Sequence, residues 1–173
     1  MAQDNTEGDM LIYLDANIVQ YCADYEAFLF GGRPSPQGLE PNLLRELRAL
    51  RELIELEQLG NWEFAASDHL LRELHRGHPT HEQLNVYQLL EDAAHSPSPD
   101  AVAVGERVQL MNVNFTDNAD RRHVATALAM GASWFITNDR NMIVATSGRV
   151  RNLRIARPSE CLEEISVGLF LRV

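Results

Sequence analysis

The stretch from Ala119 to Met142, ADRRHVATALAMGASWFITNDRNM, constrains this chain more than any other. It reads as an acid entering a helix, a glycine that ends the helix, and a buried strand that stops at a second acid. Behind Asp120, the apolar residues Val124, Ala125, Leu128 and Ala129 recur at helical spacing. Gly131 stands where a helix C-terminus takes a left-handed backbone. Trp134-Phe135-Ile136 is a short apolar run of the kind that parallel sheets bury on both faces. Asp139 follows at the carboxyl end of that strand, the edge where open α/β sheets bind their ligands. The pattern recurs near the N-terminus, where Met10-Leu11-Ile12-Tyr13-Leu14 runs straight into Asp15-Ala16-Asn17. Two apolar strands therefore each deliver a carboxylate to one edge.

Strand and helix patterns alternate along the rest of the chain. They predict α/β architecture, a single domain with a central, mainly parallel sheet flanked by helices. The first strand covers about 10–15, and a short helix follows from Asn17. A Gly/Pro-rich loop fills 31–41, and a helix from Asn42 to Leu59 aligns Leu43, Leu47, Leu50 and Ile54 before Gly60. A second strand spans Trp62 to Ala66, and Ser67 caps a helix carrying Asp68, Arg72 and Glu73. Thr80 and Gln83 form a capping box for a helix to about Ala94, SPSP (96–99) breaks it, and Pro99 opens another to about Met111. After Asp139 come a helical turn, a weak strand at Leu153-Arg154-Ile155 and a helix begun at Pro158-Ser159-Glu160. Without a repeat or an internal boundary, residues 10–173 read as one domain and the polar residues 1–9 as a flexible tail.

Composition narrows the class. A chain of 173 residues has room for a full core, and no apolar run approaches the roughly 20 residues of a membrane span. The acidic start is unlike a signal peptide, and Cys22 and Cys161 have neither metal nor disulfide spacing, so a cytoplasmic protein with no membrane partner is expected. The net charge of −10 argues against a protein coated for nucleic acid. Yet the charge is uneven: from Arg140 to Arg157 there are five Arg and no acid. With no Lys in the chain, every fixed cation is a guanidinium, able to grip phosphate bidentately. Arg140, Arg149, Arg151 and Arg154 are therefore either an ordinary solvated face or contacts to an RNA backbone.

Four blocks in order, LIYLDANI, ASDHLLREL, DRRHVATAL and FITND, resemble the PIN domain, a nuclease fold that includes the VapC-type toxins of bacterial toxin–antitoxin pairs. The resemblance spans most of residues 10–165. It implies that Asp15, Glu73, Asp120 and Asp139 are catalytic, metal-binding carboxylates gathered at the carboxyl edge of a parallel sheet. It implies a metal-dependent endoribonuclease leaving a 5′-phosphate and a 3′-hydroxyl, with RNA as substrate, an antitoxin as partner if the chain is a toxin, and a homodimeric state. The segment between Asp15 and Glu73 is longer than in compact VapC-like members. The Leu-rich face of the Asn42–Leu59 helix also exceeds what one small sheet needs, a second argument for a dimer.

Elementary electrostatics points to a metal independently. Two carboxylates about 5 Å apart repel by roughly 3 kcal/mol at an effective dielectric near 20, so four cannot all stay ionised without a cation. Oxygen ligands alone favour Mg²⁺ or Mn²⁺ over Zn²⁺. Each acid keeps a structural alternative: Asp15 as a helix cap, Asp120 as a helix-dipole partner, Asp139 as a turn residue, and Glu73 paired with Arg76 or His69. Asn17 and Thr137 are supporting residues, holding the acids or simply shaping turns. Asp117 is an exposed loop acid or a spare ligand. His69, His75, His78 and His81 fall on different faces and across Pro79, so they are not read as a metal tract, and His123 reads as packed. Against the ribonuclease stand a non-catalytic RNA- or protein-binding subunit and a phosphatase of another α/β family. The phosphatase lacks both a Gly-rich phosphate loop and the second Asp of a D-x-D motif.

Overall fold

The computed structural model describes residues 10–57, 62–93, 101–111, 113–115 and 117–170. The expected tail at 1–9, the helix stop at Gly60 and the SPSP break at 96–99 lie outside them. Strand β1 (Met10–Leu14) leads into α1 (Ala16–Asp24), the single turn α2 (Glu26–Leu29) and the long α3 (Pro41–Glu57). β2 (Trp62–Ala65) is followed by α4 (Asp68–Arg76), α5 (His81–Ala93), α6 (Ala101–Leu110) and α7 (Asn118–Ala129). β3 (Trp134–Ile136), α8 (Arg140–Thr146), β4 (Arg154–Ala156) and α9 (Pro158–Phe170) complete the order. The predicted α/β domain is the observed one.

The sheet has four strands in the order β2-β1-β3-β4, and every pairing is parallel. The chain steps from β1 outward to β2, then returns to the other side of β1 to lay down β3 and β4. Strand order therefore reverses between β1 and β3, and the crevice beyond their carboxyl ends is where such sheets hold ligands. Tyr13 pairs with Phe135 and Leu14 with Ile136 in register, so Asp15 and Thr137 emerge side by side.

Alternation along the strands builds two cores, one on each face. Ile12, Leu14, Trp134 and Ile136 face a large cluster with Ile18 and Val19 of α1, Leu47, Leu50 and Leu53 of α3, and Cys161 and Ile165 of α9. Tyr13, Ala65 and Phe135 face the other way, against Val124 and Ala127 of α7, Met142 of α8, and Leu153. Tyr13 stacks on Phe135 with ring centroids 5.3 Å apart. Its position in β1 therefore aims its hydroxyl toward the elements that carry the polar site.

On the Leu-rich face of α3, Leu47 and Leu50 are buried within the chain while Leu43 and Ile54 remain partly buried. Leu47, Leu50 and Leu53 are fully buried, each contributing about 1.5–3 kcal/mol by removal from water. Glu46, also buried, accepts hydrogen bonds from the Ser159 backbone N–H (3.0 Å) and hydroxyl (2.9 Å), locking α3 to the first turn of α9. Capping follows the sequence closely. Thr80 N–H donates to Gln83 Oε1 (2.8 Å) and Gln83 N–H to Thr80 Oγ1 (3.2 Å), and Gly131 has φ +76°.

Candidate metal centre

At the switch point the strand ends present Asp15 as a pinned carboxylate. Its Oδ1 accepts from the Ala16 N–H (2.8 Å), making Asp15 the N-cap of α1. Its Oδ2 accepts from Thr137 Oγ1 (2.6 Å) and Asn17 Nδ2 (2.6 Å). Thr137 in turn accepts from Asn17 Nδ2 (3.0 Å) and from the Asp139 N–H (3.0 Å), while Asn17 Oδ1 takes the Asn138 N–H (3.1 Å). Residues from two adjacent strand ends thus hold one another through a closed set of bonds. A carboxylate offers about four acceptor positions, and these bonds fill three at Asp15, leaving one on Oδ1. Asp139 is similar in kind. Its Oδ1 caps α8 through Asn141 (2.7 Å) and Met142 (3.2 Å) N–H groups, and its Oδ2 takes no hydrogen bond among the described residues.

Asp120 comes from the first turn of α7, where it faces a helix N-terminus. The N-cap itself is Asp117, whose side chain accepts from the Ala119 N–H at 2.9 Å. No hydrogen bond reaches the Asp120 carboxylate among the described residues. One helical turn further on, His123 is buried between the two halves of the site. Its Nε2 lies 2.8 Å from Glu73 Oε2, and its Nδ1 lies 3.4 Å from the Tyr13 hydroxyl. Tyr13 and Ser67 share a 2.7 Å hydrogen bond, and Ser67 caps α4 through the Leu70 N–H at 3.2 Å. Glu73 therefore pairs with a buried histidine from α7 rather than with Arg76 of its own helix.

His69 joins this end of the site. Its ring centroid is 5.1 Å from that of His123, and ligand atoms of His69, Glu73 and His123 all lie within 4.8 Å of one another. These three can hold a metal ion, and they are the group among the described residues that closes to that spacing. Spacing along the chain had set His69 aside with His75, His78 and His81. Folding supplies what spacing omits, because α7 brings His123 across to the face of α4 that carries His69 and Glu73. The signal available in the sequence was the four-residue step from His69 to Glu73.

The aspartates act on one another. Asp15 is pushed above the usual carboxylate range by burial, and Asp139 adds to that push. The bonds from Thr137 and Ala16 and the proximity of His123 oppose it. Asp120 is raised by burial, then by the charges of Asp15, Asp139 and Asp117, with His123 opposing. His69 is lowered by burial, His123 and Arg122, which favours the neutral imidazole. Free acceptor positions at the strand ends remain on Asp15 and Asp139, where a divalent cation can be met by oxygen. Asn138 Oδ1, buried without a donor among the described residues, is an orphan acceptor in the same turn. Oxygen donors of this type fit Mg²⁺ or Mn²⁺.

The arginines expected to meet RNA divide. Arg140, Arg149 and Arg151 are exposed, Arg140 opening α8 beside Asp139. Arg154 is engaged locally, its guanidinium 5.3 Å from the Trp134 ring centre and ion-paired with Glu164. A separate cleft along α4, α6 and α7 is lined by Arg72, Arg121 and Arg122 together with His69. Among the described residues, no helix is long and apolar enough to cross a membrane. Compared with known protein families, with characterised proteins and with solved structures, the chain matches none.

Proposed function

We propose that the protein is a metal-dependent endoribonuclease of the cytoplasm, in which Asp15, Asp120 and Asp139 hold Mg²⁺ or Mn²⁺ at the reverse point of the sheet. One observation carries this reading: Asp15 and Asp139 stand at adjacent strand ends and are tied through one hydroxyl, Thr137 Oγ1, which donates to Asp15 Oδ2 and accepts from the Asp139 N–H. When bound, the ion supplies an activated water and neutralises charge on the phosphodiester. The chain's own residues do the positioning. Thr137 and Asn17 fix the Asp15 carboxylate by two 2.6 Å bonds, and the α8 N-terminus fixes Asp139. An acidic protein can bind a polyanion at such a point, because the ion reverses the local sign.

The four blocks that resemble PIN domains support the same reading, and the resemblance alone implies Glu73 as a fourth acid. They extend it to a toxin with an antitoxin partner and a homodimeric state. A second reading, a non-catalytic RNA- or protein-binding subunit, draws on the capping roles: Asp15 and Asp139 satisfy α1 and α8 without any ion. Incubation with single-stranded RNA separates the two. Cleavage is expected to stop with EDTA, to return with Mg²⁺ or Mn²⁺, and to be absent in Asp15→Asn under either condition. Cleavage that ignores the chelator overturns the metal mechanism, and no cleavage in any metal favours the binding subunit.

A further inference from the structure

We propose that His69, Glu73 and His123 form a second metal site, one that takes a borderline transition ion such as Zn²⁺ and is separate from the aspartates. The proposal does not rest on the ribonuclease reading, whose three aspartates stand without Glu73; the bond to His123 sets Glu73 at this second site. His69 and Glu73 share one face of α4 by their four-residue step, and His123 meets them from α7. All three offer ligand atoms within 4.8 Å of one another, and His123 Nε2 lies 2.8 Å from Glu73 Oε2. Tetrahedral donors about 2.0–2.2 Å from a shared ion stand about 3.4 Å apart, so an ion would part the His123–Glu73 pair slightly and draw the three side chains together. Among the described residues the ring nitrogens of His69 make no hydrogen bond.

Donor chemistry selects the ion. Two imidazoles and one carboxylate form the donor set that open zinc sites use, with a further position left for water. Nitrogen donors favour zinc and its neighbours over Mg²⁺, which demands oxygen. Arg72 and Arg122 line the cleft on which His69 opens. Their fixed positive charge opposes any ion held by electrostatics alone, so retention depends on short bonds to nitrogen.

The groups behind His123 complete the case. An ion on Nε2 leaves the imidazole proton on Nδ1, which faces the Tyr13 hydroxyl at 3.4 Å. Tyr13 then accepts from Nδ1–H and donates to Ser67 Oγ, 2.7 Å away. Such a relay fixes both the tautomer and the ring plane of a metal-binding histidine. Tyr13 is accordingly a positioning residue rather than a ligand.

The test uses the full chain without an affinity tag, stripped of metal and titrated with Co²⁺ as a spectroscopic stand-in for Zn²⁺. One equivalent is expected to give visible ligand-field absorption that Zn²⁺ displaces. His69→Ala, at a partly exposed position, is expected to keep its circular dichroism and lose the absorption. Tyr13→Phe is expected to weaken binding about 10–100-fold. Asp120→Asn is expected to bind Co²⁺ as the wild type does. No binding by the wild type, survival of binding in His69→Ala, or loss in Asp120→Asn each overturns the proposal. RNA cleavage is not the readout, so failure of the nuclease reading leaves this one standing.

Discussion

The two ends of the polar strip beside β1 are built on different principles. At the strand end, Asp15 sits among fixed donors: a threonine, an asparagine and a backbone N–H from two adjacent elements. At the helix end, His123 and Glu73 meet as side chains from α7 and α4, with the carboxylate still 43 % exposed and the imidazole 2 %. Hydrogen bonds to a buried charge are strong and directional, so the strand end is organised before any ligand arrives. The helix end is held by side chains alone, His123 between Glu73 at 2.8 Å and the Tyr13 hydroxyl at 3.4 Å. Preorganised oxygen on one side and adaptable nitrogen on the other make the strip chemically asymmetric over a few residues.

The largest expected effect strikes the preorganised end. Thr137→Val keeps the shape but removes an oxygen that donates to Asp15 and accepts from Asn17 and Asp139. Metal affinity or cleavage, measured by titration and by kcat/KM, is expected to fall about 10–100-fold, as for other groups that orient a ligand. Stability is expected to fall by about 1–3 kcal/mol in urea, since a buried carboxylate loses a donor. An unchanged variant would show that the strand end owes nothing to its clamp.

A smaller effect concerns Asp120, the acid with no hydrogen bond of its own among the described residues. Its folded carboxyl is raised by burial and by Asp15, Asp139 and Asp117, so the native state holds a proton more readily than the unfolded chain. Wild-type stability therefore falls as pH rises from the ordinary carboxylate value near about 4 through the raised one. Asp120→Asn escapes that loss. Its metal-free melting temperature is expected to exceed the wild type's at neutral pH, with the gap closing as pH falls through the same window. A lower melting temperature at neutral pH would make Asp120 a helix-dipole partner first.

The smallest effect lies outside the strip, on the exposed arginines. Arg149→Gln with Arg151→Gln is expected to flatten the salt dependence of RNA binding by roughly one unit in log–log slope, near 0.7 per phosphate contact on a single strand. The metal requirement is expected to be unchanged, because arginine supplies no ligand. An unchanged slope would leave these residues as ordinary surface.

Much of the fold was legible because its signals are local. Ser67, the Thr80–Gln83 box and Gly131 each announce a helix end through bonds within a few residues. The apolar runs ending in Asp15 and Asp139 announce strands for the same reason. What escaped the sequence depends on elements meeting. Arg154 reads as a free cation until Trp134 and Glu164 are placed beside it. Glu46 reads as a surface acid of α3 until the first turn of α9 meets it through Ser159. His69 and His123 lie far apart in sequence, and no periodicity within either helix announces their meeting.

The bond from Thr137 to Asp15 joins residues 122 positions apart in the chain. During synthesis at about 5–20 residues per second, the acid strand leaves the ribosome on the order of 10 s before its clamp. A nascent chain carries Asp15 throughout that interval without the hydroxyl that orients it. The strand-end centre therefore matures only when β3 docks beside β1, late in translation, and a chain truncated before β3 carries the acid without the centre.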